Sequence, residues 1–116
     1  MNRKYRLKKT EHIKRVRLLG ESFAHPLIVL FKHPNNVSLT RFGIVAGKPL
    51  GNAVNRNRRK RQLREILRSA LPSIKPGWDI IILLRNPSAV ATFEELLTAV
   101  NILLKRANLL ITTDAQ

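Results

Sequence analysis

Residues 51–72 read Gly-Asn-Ala-Val-Asn-Arg-Asn-Arg-Arg-Lys-Arg-Gln-Leu-Arg-Glu-Ile-Leu-Arg-Ser-Ala-Leu-Pro, and the way this stretch folds decides the architecture around it. At the helical period, Leu63, Ile66, Leu67 and Ala70 share one face. A helix from about Asn52 to Leu71 can therefore lay an apolar stripe on a sheet and stop ahead of Pro72. Asn57, Lys60, Arg61, Arg64 and Arg68 follow the i, i+3, i+4, i+7, i+11 progression and share another face, with Glu65 as its one acid. Arg56 and Arg59 project nearer the apolar side, which predicts that they sit at the helix start, beyond the sheet edge. Free N–H groups and the helix dipole there add a second anion-binding device.

Outward from this helix, Phe42–Ala46 precedes it as an apolar, partly β-branched run. Trp78–Leu84 follows it, bracketed by Pro76-Gly77 and Asn86-Pro87, as the strongest strand of the chain. Strand, helix, strand suggests a parallel crossover, which the general rule makes right-handed. Leu27–Phe31 is a further apolar run stopped by His33-Pro34-Asn35-Asn36, so it and Phe42–Ala46 read as two antiparallel strands joined by a polar loop. Thr10 can cap a helix reaching Leu19, with Ile13 and Val16 on its apolar edge and Gly20 as its stop. Thr92 and Glu95 form a capping box ahead of Phe93, Leu96, Leu97, Val100, Leu103, Leu104 and Ala107 at helical spacing. The expected class is α+β: a two-layer α-β sandwich, a mixed sheet with helices packed on it. It forms one domain over residues 1–116, with residues 1–6 as a flexible basic arm of the kind that orders on binding.

Charge narrows the function. There are 22 Lys and Arg against 7 Asp and Glu in 116 residues, a net charge of +15. Fifteen of those bases lie in residues 1–20 and 55–68, so the excess is targeted at two surfaces. Such an excess repels itself unless a polyanion is near. A merely solvated face, a membrane-surface helix and a DNA-reading helix are the alternatives. The first leaves the near absence of acid unexplained, the second lacks Trp or Phe on its apolar face, and the third leaves few side chains free to read bases. Phosphates of RNA, which guanidinium forks match two-pronged, fit better.

Enzyme chemistry finds little here. Without cysteine there are no disulfides, thiol nucleophiles or thiolate zinc sites, which suits a reducing, cytoplasmic setting. His12, His25 and His33 are isolated, and the carboxylates show no spacing suited to two-metal hydrolysis. Gly47–Gly51 lacks the pattern of a phosphate-binding P-loop. No apolar run nears the ~20 residues of a spanning helix.

Gly51-Asn52-Ala53-Val54, then Arg56-Asn57-Arg58, then Lys60-Arg61, Arg64 and Glu65 resemble the arginine-rich RNR signature of the bacterial ribonuclease P protein subunit. Arg6-Leu7-Lys8-Lys9, Gly20, Lys48, the Trp78-Asp79-Ile80-Ile81 strand and the closing amphipathic helix extend the resemblance over nearly the whole chain. The resemblance implies a subunit of a ribonucleoprotein endonuclease that removes the 5′ leader of precursor tRNA. Catalysis and Mg²⁺ belong mainly to the RNA, and the chain alone is inactive. The implied partners are one ribonuclease P RNA per chain and precursor tRNA, with no membrane and no DNA. It also implies an α-β sandwich with a left-handed crossover, against the general rule.

Carried over by position, Lys48, Asn52, Arg56, Asn57, Arg58, Lys60, Arg61, Arg64 and Arg68 become the RNA-contact set. Ile13, Arg17, Val29 and Phe31 become the 5′-leader cleft between the first helix and the sheet. Family members often place rings at positions 13, 17 and 31, of which only Phe31 is one here, so stacking should weaken and phosphate attraction grow. Arg59 stands where an apolar residue is common and is expected to add charge to the interface. A ribosomal or other structural RNA-binding protein, sharing the same physics but taking no part in cleavage, is the second reading.

Overall fold

In the computed structural model, which describes residues 3–111, the elements run α1 (Thr10–Leu19), β1 (Glu21–Ala24), β2 (Ile28–Pro34), β3 (Arg41–Ala46), α2 (Ala53–Ala70), β4 (Trp78–Leu84) and α3 (Phe93–Arg106). Residues 1–2 of the expected N-terminal arm lie outside the described residues. The strand order is β1-β2-β4-β3, antiparallel except for the parallel β3–β4 pair, so the sheet is mixed and the class is α+β as expected.

The expected pairing of the runs around residues 27–31 and 42–46 is corrected: β2 and β3 both pair with β4, which lies between them. Ile80, Ile81 and Ile82 have no exposed surface, and such a doubly covered strand belongs in the middle of a sheet. The six residues between β2 and β3 span two strand spacings, roughly 10 Å, with ease. They cross the end of β4, where the Asn35 N–H donates to the Gly77 carbonyl at 2.9 Å and the Asn35 side-chain amide donates to Asp79 at 2.9 Å. The short edge strand β1 lacked any apolar alternation by which to read it; it takes its conformation from β2.

Gly20 ends α1, but through space rather than a left-handed turn. Its φ and ψ are −78° and 164°, and a Cβ there would stand 2.5 Å from the carbonyl oxygens of both Val16 and Lys32. The capping box of α3 forms as read: Thr92 Oγ1 accepts from the Glu95 N–H at 3.1 Å, and Glu95 accepts from the Thr92 N–H at 2.8 Å.

Period-two alternation divides the sheet into two unequal faces. Ile28, Leu30, Phe42, Ile80, Ile82 and Leu84 meet Leu63, Ile66 and Leu67 of α2 and Leu96, Val100, Leu103 and Leu104 of α3 in the main core. On this side the Lys32 ammonium is buried, donates to the Ala107 carbonyl at 2.7 Å and lies 4.5 Å from the Trp78 ring centre, tying the end of α3 to the sheet. On the opposite face α1 covers only part of the surface, through a small core of Leu7, Val16 and Ile81 flanked by Ile13, Phe31 and Val45. Val29 and Leu83 remain half-exposed beside it.

The N-terminal segment completes the frame. A short 3₁₀ turn, Arg3–Tyr5, leads into a bridge between Arg6 and Phe42, and the Leu7 N–H donates to the Phe42 carbonyl at 2.6 Å. The otherwise open edge of β3 is thereby covered.

Candidate nucleic-acid interface

The basic helix starts from a fixed corner. A 3₁₀ turn, Lys48–Leu50, buries Leu50, and Gly51 follows at φ 103°, a region that favours glycine. Asn52 then caps α2, its side chain accepting the Asn55 N–H at 2.9 Å. The Asn55 side-chain amide donates back to the Leu50 carbonyl, and Arg56 donates to the Gly51 carbonyl at 3.2 Å. Asn52 thus sits within the expected contact surface with its oxygen already engaged.

From that corner Lys48, Asn57, Arg58 and Arg61 are exposed, while Arg56, Lys60 and Arg64 are half-buried. Arg68 is exposed but not free: it donates to the Glu65 carboxylate one turn back. That hydrogen bond and charge hold the Glu65 carboxyl below its ordinary range and push Arg68 up. Arg64 is shifted down, first by burial and then by the neighbouring charge of Arg6.

Arg6 and Arg64 converge on a cleft of about 240 Å³ lined also by Lys8, Ile13 and Gly43. Arg6 Nε is buried there with no hydrogen-bond partner. The chain lies close to Gly43, where a Cβ would stand 3.2 Å from the Leu7 carbonyl oxygen and 2.7 Å from Ile81 Cδ1. No carboxylate lines this cleft, so its cations face one another across it. Arg6 and Lys8 were landmarks in the sequence rather than site residues, because only the bridge to β3 brings them beside α2.

A second hollow, about 520 Å³, opens between α1 and the uncovered half of the sheet, lined by Lys14, Arg17, Leu18 and Phe31. The Arg17 guanidinium stands 5.8 Å from the Phe31 ring centre. Val29 shares this face with Phe31, as strand alternation requires. Of the four expected cleft residues, Arg17 and Phe31 line this hollow, Val29 lies on the same sheet face, and Ile13 packs against the small core and lines the first cleft instead. Leu18, 82% exposed, supplies an apolar lip that the sequence reading passed over.

The expectation for Arg59 is corrected. It does not add exposed charge: it is only 7% exposed and donates to the carbonyls of Ala91 at 2.6 Å and Ala89 at 2.8 Å, past the end of β4, and to Gln62 at 3.0 Å. Burial, then the charge of Arg58, lowers its pKa. Its spacing from Leu63, Ile66 and Leu67 is i+4, i+7 and i+8, so its inward direction was present in the sequence.

Among the described residues no group of three or more His, Asp or Glu side chains comes together, and no helix is long and apolar enough to cross a membrane. Asp79, the one buried carboxylate among the described residues, is occupied by Arg41 through two contacts of 2.9 Å and by Asn35.

Comparison with known proteins bears on the family and the fold. Residues 1–108 match the Ribonuclease P family model. The ribonuclease P protein component of Herpetosiphon aurantiacus is 43% identical over 109 residues, 94% of this chain and 89% of that protein. That of Clostridium novyi is 39% identical over 111 residues, 94% of this chain and 98% of that protein. Among solved structures, the RNase P protein of Staphylococcus aureus superposes with a TM-score of 0.86 at 32% identity, covering 92% of this chain and 98% of that one. The RNase P protein of Thermotoga maritima gives 0.80 at 28% identity, covering 87% and 96%.

Proposed function

The chain belongs to the ribonuclease P protein family, and from that premise we propose that it binds the catalytic RNA along α2 and holds the 5′ leader of precursor tRNA between α1 and the sheet. The observation that carries this reading is the unneutralised run of cations from Arg58 and Arg61 through Arg64 and Arg6 to Arg17, beside a sheet face that α1 leaves half-open. A continuous phosphate chain is the ligand that such a run suits. Unstacked bases of a single strand suit a floor of Val29, Phe31 and Leu83.

On this reading the RNA carries out the hydrolysis, with Mg²⁺ as its ion; among the described residues no three His, Asp or Glu side chains come together to hold one. The chain's own part is electrostatic and positional. Its guanidinium groups replace condensed counterions where RNA strands crowd, which lowers the Mg²⁺ needed to hold the complex together. Contacts to the leader exist in the precursor and vanish in the mature product, so the cleft favours substrate over product. One copy per catalytic RNA, in the cytoplasm, completes the proposal.

The test is cleavage of a 5′-extended precursor tRNA at low Mg²⁺ with the chain alone, a bacterial ribonuclease P RNA alone, and both. Cleavage at the mature 5′ end only in the combination supports the reading. Tight RNA binding without stimulation replaces it with that of a structural RNA-binding protein.

A further inference from the structure

Arg59 is the cation of α2 that the proposed RNA surface leaves unused. Its flanking residues Arg58 and Lys60 face outward to different degrees, whereas Arg59 turns in and gives its two terminal nitrogens to the carbonyls of Ala89 and Ala91 and to Gln62. A guanidinium withdrawn from water is costly unless its donors are satisfied; here the two terminal nitrogens are served, largely by backbone carbonyls between β4 and α3, while Nε is buried without a partner. That segment contains the 3₁₀ turn Asn86–Val90, directly after Arg85.

The same end of α2 also holds the facing wall. Asn55 and Arg56 donate to the carbonyls of Leu50 and Gly51, closing the Lys48–Leu50 turn, while Arg59, one turn on, grips the Asn86–Val90 side. Between the two turns lies a hollow of about 460 Å³, lined by Pro49, Leu50, Leu83, Arg85 and Pro87 among others, at the ends of the parallel strands β3 and β4.

We propose that Arg59 is a positioning residue: it fixes the Asn86–Val90 turn against the start of α2, so that the adjoining Lys48–Leu50 turn holds Lys48 in one place toward RNA docked on the helix, and it does not itself touch the RNA. The identity of that RNA rests on the ribonuclease P reading, whereas the clamp can be tested without any RNA.

Arg59→Met removes the donors while keeping the length, Arg59→Lys returns one cationic donor group, and Arg58→Met serves as the exposed comparison. Amide hydrogen exchange in the free proteins reads the clamp. In Arg59→Met, the Ser88 and Ala91 amides, which close the turn on Arg85 and Ser88, should exchange about tenfold faster while the β4 amides keep wild-type protection. Arg59→Lys should fall between the two. Binding to a bacterial ribonuclease P RNA over a KCl series reads the consequence. Arg59→Met should lose about three- to tenfold in affinity at every salt concentration with the wild-type salt slope, whereas Arg58→Met should flatten that slope by about 0.7 to 0.9. A flattened slope in Arg59→Met would make it a phosphate contact and overturn the proposal, as would unchanged exchange at Ser88 and Ala91. If the wild-type chain binds this RNA no better than an unrelated RNA of equal length, the ribonuclease P reading fails, and the exchange data alone decide the clamp.

Discussion

The guanidinium of Arg17 stands 5.8 Å from the centre of the Phe31 ring, across the gap between α1 and the sheet. One side chain belongs to a helix and the other to a strand, so the pair joins the two walls of the hollow by a cation–π contact. A base that stacks on the Phe31 ring takes the place of Arg17, whose freed guanidinium suits a phosphate or the other face of the base. Phe31→Ala should weaken binding of precursor tRNA by about 1 to 3 kcal/mol, the usual worth of one stacked base. Mature tRNA should lose far less. Paired affinity measurements check this, and equal losses for both would remove the leader from this cleft.

Arg61 and Arg68 lie on the same side of α2 but differ in freedom, since Arg68 is bound to Glu65. Arg61→Ala should therefore flatten the dependence of log K on log salt by about 0.7 to 0.9, and Arg68→Ala by less. Salt titrations of RNA binding with both variants settle the order. A larger change for Arg68 would show that RNA displaces Glu65.

The same ion pair has a pH signature. The Glu65 carboxyl titrates below its ordinary value because of Arg68, so the unfolded chain takes up its proton first as pH falls. Stability from the pair is then fully present above the ordinary glutamate value, about 4.3, and is lost as pH drops through the lowered one. Glu65→Gln should lack this acid limb. Urea midpoints of both proteins from pH 6 to pH 3 would test it, with parallel curves as the contrary result.

Asp79 carries the heaviest structural penalty. Its carboxylate is 10% exposed and takes both prongs of Arg41. Asp79→Ala should destabilise the protein by about 3 to 5 kcal/mol by leaving a largely buried cation unpaired. Replacing both residues with apolar ones should recover much of that. Denaturant unfolding of the single and double variants gives the comparison; an equal loss in both would place the cost elsewhere.

Gly20→Ala should cost about 1 to 3 kcal/mol, because the new methyl meets two backbone carbonyls that flexible side chains cannot relieve. A urea midpoint unchanged from wild type would mean that the α1–β1 corner yields.

The helices were legible because their signals are local: the capping box at Thr92 and Glu95, the apolar phase of Leu63, Ile66 and Leu67, and the stop at Pro72; Thr10, expected to cap α1, is instead its first residue, after Lys9, which makes no side-chain cap. Strand neighbours were not, because the runs around Ile28 and Phe42 look alike whether they pair with each other or with β4. That choice rests on how deeply β4 is buried, which only the packed sheet displays. The cationic stripe on α2 was equally plain, apart from Arg59, whose chemistry argued outward while its phase argued inward. Arg6 beside Arg64 was beyond reach, since 58 residues of chain separate two groups that one bridge at Phe42 brings together.

The insertion of β4 between β2 and β3 also imposes an order in time. A growing chain can pair β1 with β2 as soon as residue 32 is available, yet β3 must wait for a neighbour made some forty residues after it begins. During that interval α2, with its seven bases between residues 55 and 68, is already made but has no sheet on which to lay its apolar side. Until Trp78–Leu84 joins it, the most cationic helix of the molecule has no completed sheet to cover its apolar side. A chain ending before Trp78 should show α-helical circular dichroism only when an RNA or another polyanion is added, and a cooperative melt without one would contradict this order.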